Sequence, residues 1–260
     1  MIKLCSLSSG SNGNAIYIKT GRHSFLVDAG ISRRQILLRL EQIQAHISEI
    51  TGIFITHEHF DHIRGLDILM KHFPRPVYIT EKTYNNMPFT IDGQYLNIIQ
   101  PYDRVTIGDT QIQSLSKSHD AADPTLFCFH YRGKKVSVIT DAGHGCDNVI
   151  ESIRDAHAVF LESNYDDEML RTGFYPAYLK KRIAGPHGHL SNVDAGSLIR
   201  DHASSFLEYV FLSHLSENNN TATLALETFR GIVKERDDLQ HLNTLLTSRH
   251  KISEVVEISV

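Results

Sequence analysis

Cysteine is scarce in this chain of 260 residues, which contains only Cys5, Cys128 and Cys146. The three are widely separated and show none of the paired spacings of a cysteine metal site. So few thiols exclude a scaffold held together by disulfides. This usage is typical of a reducing compartment, and we expect a cytoplasmic protein.

Long apolar runs are also absent. No stretch approaches the roughly 20 consecutive apolar residues that a membrane-spanning helix needs. The first residues, Met-Ile-Lys-Leu-Cys-Ser, become polar too early for a secretory signal peptide. We therefore expect no association with a membrane.

Neither charge is in strong excess, since 26 basic residues stand against 30 acidic ones and the net charge is -4. Such a chain does not coat nucleic acid indiscriminately, although a local basic groove is compatible with this balance. Because 41% of the residues are hydrophobic, the chain can bury a substantial core. Its length predicts one α/β domain over residues 1–260, and no feature predicts an obligate protein partner.

A dense cluster of metal-binding side chains lies between Thr56 and His62. The segment reads Thr-His-Glu-His-Phe-Asp-His and contains the donors His57, His59, Asp61 and His62. A short apolar run precedes it, as expected for a buried strand, and apolar residues at helical spacing follow it. The donors are therefore predicted where a strand meets a helix, which is where open α/β sheets carry their chemistry.

The spacing of these donors predicts two neighbouring metal sites. On an extended turn, His57 and His59 project the same way, whereas His62 begins a helix with Asp61 and faces another direction. One metal ion cannot easily take all four ligands. The alternative is a solvated histidine cluster, and the density of donors at metal spacing argues against it.

Other polar residues follow strand-like apolar runs elsewhere in the chain, namely Asp28, His119, Asp141 and His214. Taken alone, Asp28 also fits a cap for the helix that starts near Ser32. A lone histidine such as His119 is more often structural. Two loops could hold an anion: residues 8–14, for which a plain loop is the preferred interpretation, and residues 185–192 before a helix.

The motif His-x-His-x-Asp-His after a strand resembles the signature of the metallo-β-lactamase superfamily. The other strand-end residues occur in the superfamily's order, and the resemblance spans nearly the whole chain. It implies an α/β (α+β) fold, the four-layer αββα sandwich. It also implies a ligand set: His57, His59 and His119 on one metal, Asp61, His62 and His214 on the other, Asp141 as the bridge, and Asp28 orienting the histidine loop through hydrogen bonds.

The reaction class is suggested by further resemblances. Asp141 is often cysteine in true β-lactamases, so it indicates relatives that cleave phosphodiesters, thioesters or lactones. The opening Ser-Leu-Ser-Ser-Gly-Ser-Asn-Gly-Asn and the turns Gly-His-Leu-Ser-Asn and His-Leu-Ser-x-x-Asn resemble the YycJ/VicX-like group, which is related to nucleases. The 72 residues between Asp141 and His214 leave no room for a β-CASP domain, and no Gly/Pro-rich arm of a tRNA 3′-processing enzyme is present.

These resemblances predict a metal-dependent phosphodiesterase, a 5′-directed exonuclease acting on DNA or RNA. Two divalent metal ions, zinc first and manganese as the alternative, would generate a metal-bound hydroxide that attacks phosphorus. We expect Asp61 to hold this nucleophile in line. His189, with the groups of Ser191 and Asn192, is expected to bind the phosphate, while His144, Cys146 and His187 have no assigned role.

Two alternatives remain open. The same metal pair suits hydrolysis of a small thioester or lactone, which the net charge does not oppose. A binding or regulatory protein with structural metals is the other alternative. Against it, structural zinc is usually closed by four protein ligands, commonly cysteines, whereas three-imidazole and bridged sites keep a position for water.

Overall fold

The computed structural model describes residues 1–260, with fourteen strands and nine α-helices. The strands are β1 Ile2–Ser8, β2 Ala15–Thr20, β3 His23–Val27, β4 Ile50–Phe54, β5 Val77–Thr80, β6 Leu96–Ile99, β7 Arg104–Ile107, β8 Thr110–Ser116, β9 Thr125–Tyr131, β10 Lys134–Ile139, β11 Ala158–Glu162, β12 Tyr209–Ser213, β13 Asn243–Leu246 and β14 Val256–Ile258. The helices are α1 Arg33–Gln42, α2 Phe60–Ile63, α3 Leu66–His72, α4 Glu81–Asn85, α5 Asp147–Arg154, α6 Asp167–Thr172, α7 Ala177–Ile183, α8 Asn192–His202 and α9 Ala222–Val233.

The chain divides into two compact units, each discontinuous in sequence. Unit 1 comprises Met1–Ser116, Ala121–Gly133 and Ser248–Val260, and unit 2 comprises Lys117–Asp120 and Lys134–Thr247. The organisation of residues 1–260 as one domain stays a prediction.

Unit 1 contains a seven-stranded sheet in the order β14-β1-β2-β3-β4-β5-β6. β1 is antiparallel to β14 and β2, whereas β3, β4, β5 and β6 run parallel to one another. Parallel strands need long crossovers, and the chain supplies them as helices such as α1 and α3, whose apolar side chains join the core on the sheet. The C-terminal ends of β3 and β4 therefore lie at the same edge.

The other face of this sheet packs against β9 within the same unit. The ring of Phe25 on β3 lies 5.5 Å from that of Phe129, and the ring of Phe54 on β4 lies 5.3 Å from that of Phe127. All four aromatic side chains are completely buried. This aromatic layer holds β4, and with it the start of the histidine motif, against the interior.

Unit 2 is built on the parallel strands β10, β11, β12 and β13. β11 is buried over its whole length, which matches the continuous apolar run expected of a parallel strand covered on both faces. Phe160 stacks on Phe211 of β12 with ring centroids 4.2 Å apart. The parallel register brings the ends of β10, β11 and β12 to one edge.

The fold class implied by the resemblance is confirmed: two mixed seven-stranded sheets carry flanking helices, as in the αββα sandwich. Several local predictions differ from the structure. Helix α5 was not predicted, and α4 lies within a segment too irregular to assign from sequence. Residues 241–260, expected as one appended helix or strand, instead supply β13 and β14, which are edge strands of different sheets.

The structure also describes the cysteines and the apolar character of the helices. Cys5, Cys128 and Cys146 are all free thiols, as expected for a chain without a disulfide scaffold. None of the helices combines the length and the apolar composition required to cross a bilayer.

Candidate functional site

The histidine motif occupies the connection between β4 and α2 in unit 1. His57 and His62 are fully buried, and their ring centroids lie 4.0 Å apart. The ring of His59 lies 4.6 Å from that of His57. The rings of His57 and His62 are thus neighbours, and the assignment of His62 to a different metal from His57 and His59 stays a prediction.

Asp28 lies directly after β3 and makes hydrogen bonds to two residues of this motif. One carboxylate oxygen accepts the Thr56 backbone N–H at 2.8 Å, and the other lies 2.7 Å from Nδ1 of His62. A carboxylate partner at Nδ1 fixes the proton there and leaves Nε2 as the lone-pair nitrogen of His62. The capping alternative is wrong, since the side chain of Ser32 accepts the N–H of Gln35 at the start of α1.

Asn14, which the sequence analysis did not single out, belongs to the same network. Its side-chain amide nitrogen lies 3.1 Å from Oδ2 of Asp61 and 3.0 Å from Nε2 of His62, while its side-chain oxygen accepts the N–H of Gly10. Its own N–H donates to the carbonyl of Asp61. The loop over residues 8–14 is therefore more than a plain connection, because Asn14 contacts two donors of the metal-binding motif.

A second cluster of donors lies in unit 2 at the ends of three parallel strands and in the loop before α8. Asp141 follows β10, Glu162 ends β11, His214 follows β12 and His189 lies in the loop. One donor atom from each of the four residues lies within 4.8 Å of the others. Asp141 and His214 both have positive φ angles, 52° and 57°, which are uncommon for residues other than glycine and occur at functional sites.

Glu162 is the central residue of this cluster, and the sequence analysis missed it. Its Oε1 lies 2.8 Å from Nδ1 of both His189 and His214, and its Oε2 accepts the N–H groups of Ala142 and Leu190. Burial raises the pKa of Glu162, but the two imidazoles outweigh it and leave the pKa at about 2. The side chain is therefore a carboxylate that orients both rings.

His119 borders the cluster within unit 2. Its Nδ1 lies 3.0 Å from the carbonyl oxygen of Gly188, and its Nε2 lies 4.0 Å from Oδ1 of Asp141. Burial lowers the pKa of His119 to about 4, although Asp141 acts in the opposite direction. The ring is therefore neutral near pH 7, which is the form that binds a metal.

A sequence model of the metallo-beta-lactamase superfamily matches residues 9–178. The chain belongs to this superfamily. It is 38% identical over 235 residues to exodeoxyribonuclease YycJ of Bacillus anthracis, with 88% of each chain covered. It is 34% identical over 240 residues to exodeoxyribonuclease WalJ of Streptococcus pneumoniae, covering 90% of this chain and 89% of that protein.

The solved structures agree on the fold. The metallo-beta-lactamase fold protein YhfI from Bacillus subtilis superposes with a TM-score of 0.74 over 99% of both chains, at 16% sequence identity. Together with the sequence matches, this makes the chain a metal-dependent hydrolase of the metallo-β-lactamase fold.

The donors present in each unit fit the divalent metals of the superfamily. Unit 2 brings two imidazoles and two carboxylates within 4.8 Å of one another. In both units a buried carboxylate occupies Nδ1 of a histidine, the arrangement that presents Nε2 to a metal. Imidazole and carboxylate ligands of this kind suit zinc and also manganese.

Ser191 and Asn192 were expected to bind a phosphate, but their polar groups are engaged inside unit 2. The Ser191 N–H and hydroxyl both donate to Asp194 in a capping box, and the Asn192 N–H donates to the carbonyl of Tyr165. Both residues are buried. Their phosphate role stays a prediction without structural support, because a helix start closed by its own cap has fewer donors for a ligand.

The two histidines without an assigned role have structural partners. Nδ1 of His187 lies 2.9 Å from the Ser118 hydroxyl, and Nδ1 of His144 lies 2.9 Å from the carbonyl oxygen of Pro186. These contacts tie the loop before α8 to neighbouring segments of unit 2 and thereby position His189.

Proposed function

We propose that this chain is a metal-dependent exonuclease that hydrolyses DNA from the 5′ end. The observation that carries the proposal is the 38% identity to exodeoxyribonuclease YycJ over 88% of both chains. The intact donor motif at residues 57–62 supports it, since a relative that had lost hydrolytic activity would have no need for four donors in six residues.

The ligand set is proposed residue by residue. His57, His59 and His119 would hold one divalent metal, and Asp61, His62 and His214 the other, with Asp141 as the shared ligand. When bound, the metals supply an activated water and neutralise charge on the phosphoryl oxygens. The contact between Asp28 and His62 supports this assignment, because a carboxylate at Nδ1 leaves Nε2 as the nitrogen with the lone pair.

Asp61 and His189 are the residues we propose to act on the substrate. The side-chain amide of Asn14 lies 3.1 Å from Asp61 and orients its carboxylate, which would hold the attacking water in line with the scissile bond. Glu162 accepts the Nδ1 proton of His189 at 2.8 Å and thereby fixes the ring. The Nε2 side of His189 would then contact a phosphoryl oxygen or the leaving group.

Digestion of end-labelled strands tests this proposal. The purified chain, loaded with zinc or with manganese, is incubated with DNA and RNA strands labelled at the 5′ or the 3′ end. A 5′-directed exonuclease releases the 5′ label at once as a short product, whereas the 3′-labelled strand shortens as a ladder.

A panel of thioesters and lactones serves as the opposing arm of the experiment. Turnover of these small esters with no cleavage of any strand would contradict the nuclease proposal and favour the small-molecule hydrolase. No hydrolysis of either class by metal-loaded protein would contradict both.

A further inference from the structure

The segment around helices α6 and α7 in unit 2 exposes aromatic and basic side chains together. Phe174 and Tyr178 are 78% and 75% exposed, the largest exposed fractions among the bulky hydrophobic residues of the chain. Lys181 lies close to Tyr178 in sequence and is also exposed. We call Phe174, Tyr178, Lys180 and Lys181 the α7 surface.

The sequence of α7 explains why these side chains face solvent. Leu179 and Ile183 are four residues apart, are half-buried, and form the inward face of the helix. Tyr178 and Lys181 are three residues apart and therefore share another face. No residue of α7 is fully buried, so the helix presents most of its circumference to solvent.

The link before α7 is held in place, which fixes the position of Phe174. Pro176 is the N-cap of α7, and Tyr175 packs edge-on against Phe174 with ring centroids 5.0 Å apart. The Tyr175 hydroxyl in turn accepts a hydrogen bond from Asn218 at 2.9 Å. An exposed ring held in this way loses little conformational freedom when a flat ligand stacks on it.

Charge over residues 169–193, which follow the acidic first turn of α6, is of one sign. Residues 169–193 contain four lysines and arginines and no aspartate or glutamate, in a chain whose net charge is -4. Arg171 and Arg182 are paired with Glu168 and Asp120. Lys180 donates only to the backbone carbonyl of Arg171, and Lys181 has no ionic partner, so the α7 surface keeps two uncompensated positive charges.

The α7 surface is connected directly to the donor cluster of unit 2. The N–H of His189 donates to the carbonyl oxygen of Ile183, the last residue of α7, at 2.9 Å. A Cβ added at Gly188 would lie 2.0 Å from that same oxygen, so only glycine permits the close approach. A ligand on α7 therefore lies a few residues from His189.

We propose that the α7 surface binds single-stranded DNA, with bases stacked on Phe174 and Tyr178 and phosphates beside Lys180 and Lys181. Exposed aromatic rings next to unpaired cations are the features with which proteins hold single strands, whose bases are free to stack. Duplex DNA fits less well, because its bases are already stacked. This inference rests on the proposed nuclease function, which makes DNA the ligand. It adds that the DNA is single-stranded and names the residues that bind it.

Binding by the metal-loaded protein tests the inference directly. The probe is a fluorescent oligothymidylate with phosphorothioate linkages, which resists hydrolysis, and the readout is fluorescence anisotropy. We expect Phe174→Ala and Tyr178→Ala each to weaken binding about tenfold. Lys181→Ala should weaken binding less and reduce the slope of log affinity against log salt by about 0.7, as expected for one lost phosphate contact on a single strand.

Two matched variants serve as controls. Tyr102→Ala removes another exposed aromatic ring, and Lys82→Ala removes an exposed lysine from the short helix α4. Both should bind the probe as the unmodified protein does. Turnover of bis(p-nitrophenyl) phosphate, a small substrate without a strand, should also be unchanged in Tyr102→Ala and Lys82→Ala.

Unchanged affinity in Phe174→Ala and Tyr178→Ala would overturn the inference, and so would an equal loss for a blunt duplex and a single strand. Failure of the proposed function gives a different result. In that case the unmodified protein cleaves no strand with either metal, whereas the binding measurement still decides whether the α7 surface holds a single strand.

Discussion

Asp28 in unit 1 and Glu162 in unit 2 both orient histidine rings, but they orient different numbers of rings. Both are carboxylates at the end of a buried strand, both accept from backbone N–H groups, and both lie within 2.8 Å of Nδ1 of a histidine. Asp28 orients one imidazole, whereas Glu162 orients two, His189 and His214. In each unit, a carboxylate at the end of a buried strand thus fixes the orientation of one or two imidazole rings.

The two regions differ in how far their partners lie apart in sequence. In unit 1 the donors fall within six consecutive residues, so local spacing already predicts that they meet. In unit 2 Asp141, Glu162, His189 and His214 lie far apart in sequence. The parallel register of β10, β11 and β12 brings three of them together, and the loop before α8 adds His189. Local clusters can be recognised from sequence, whereas assembled clusters need the topology.

Removal of a direct ligand from the local cluster should have the largest effect. We expect His59→Ala to lose bound metal and to lower nuclease activity by more than about a hundredfold. The reason is that a water molecule in place of an imidazole ligand weakens the binding of the metal. Metal content is measured by elemental analysis alongside activity. His72→Ala, an exposed histidine of α3, is the control. Full activity in a His59→Ala protein shown to lack metal would rule out the proposed mechanism.

The substitutions Asp28→Asn and Glu162→Gln should have the next largest effect, which is a loss of metal affinity. Loss of a carboxylate behind a ligand typically weakens metal binding by about 10- to 100-fold. We expect both substitutions to weaken metal binding to a similar extent, because each carboxylate orients one proposed ligand, His62 or His214. Nuclease activity should fall further in Glu162→Gln, because His189 also loses its partner. Competition with a chromogenic chelator measures metal affinity, and digestion of a labelled strand measures activity. Equal activity of the two variants at matched metal content would show that the contact between Glu162 and His189 does not matter for the reaction.

Close packing behind the unit 1 motif can be tested with glycine substitutions. A Cβ on Gly30 would lie 1.6 Å from the carbonyl oxygen of Asp61, so Gly30→Ala should lower the free energy of unfolding by about 2 kcal/mol or more. Gly231 in α9 has open space around it, and Gly231→Ala should raise that free energy by about 0.5–1 kcal/mol. Urea denaturation measures both. A tolerated Gly30→Ala would mean that the backbone of Asp61 can move away from Gly30.

The smallest effect is expected at the start of α8 in unit 2. Ser191 caps this helix and shares a capping box with Asp194, so Ser191→Ala should lower the free energy of unfolding by about 1 kcal/mol. Thr221→Ala, at the matching position before α9, should have a similar effect. Steady-state kinetics of Ser191→Ala provides a second readout, in which a raised KM would support the predicted phosphate role that the capping box argues against.

Much of the fold and part of the site could be predicted from sequence. The apolar runs at residues 158–161 and 207–212 predict strands, and β11 and β12 lie within one or two residues of these bounds. Burial on both faces leaves such a clear signal in the sequence. Helix α5 was missed, and β13 and β14 could not be separated, because short elements at the edges of a sheet carry few buried residues. Glu162 occupies the same kind of strand-end position as Asp28 and Asp141. An acidic residue at the end of an apolar strand is therefore the sequence signal that could have predicted Glu162 as a site residue.

The sequence by itself determined the superfamily, the fold class and the identity of the donors at residues 57–62, because these depend on residue types at short fixed spacings. The tertiary structure decided which of the remaining polar residues act together. It joined Asn14 to Asp61 and His62, and it placed Glu162 between His189 and His214. It also engaged the N–H and the hydroxyl of Ser191 in hydrogen bonds to Asp194. The physical reason is that a hydrogen bond depends on distance and direction, and for residues far apart in the chain only the paired strands and packed loops set these.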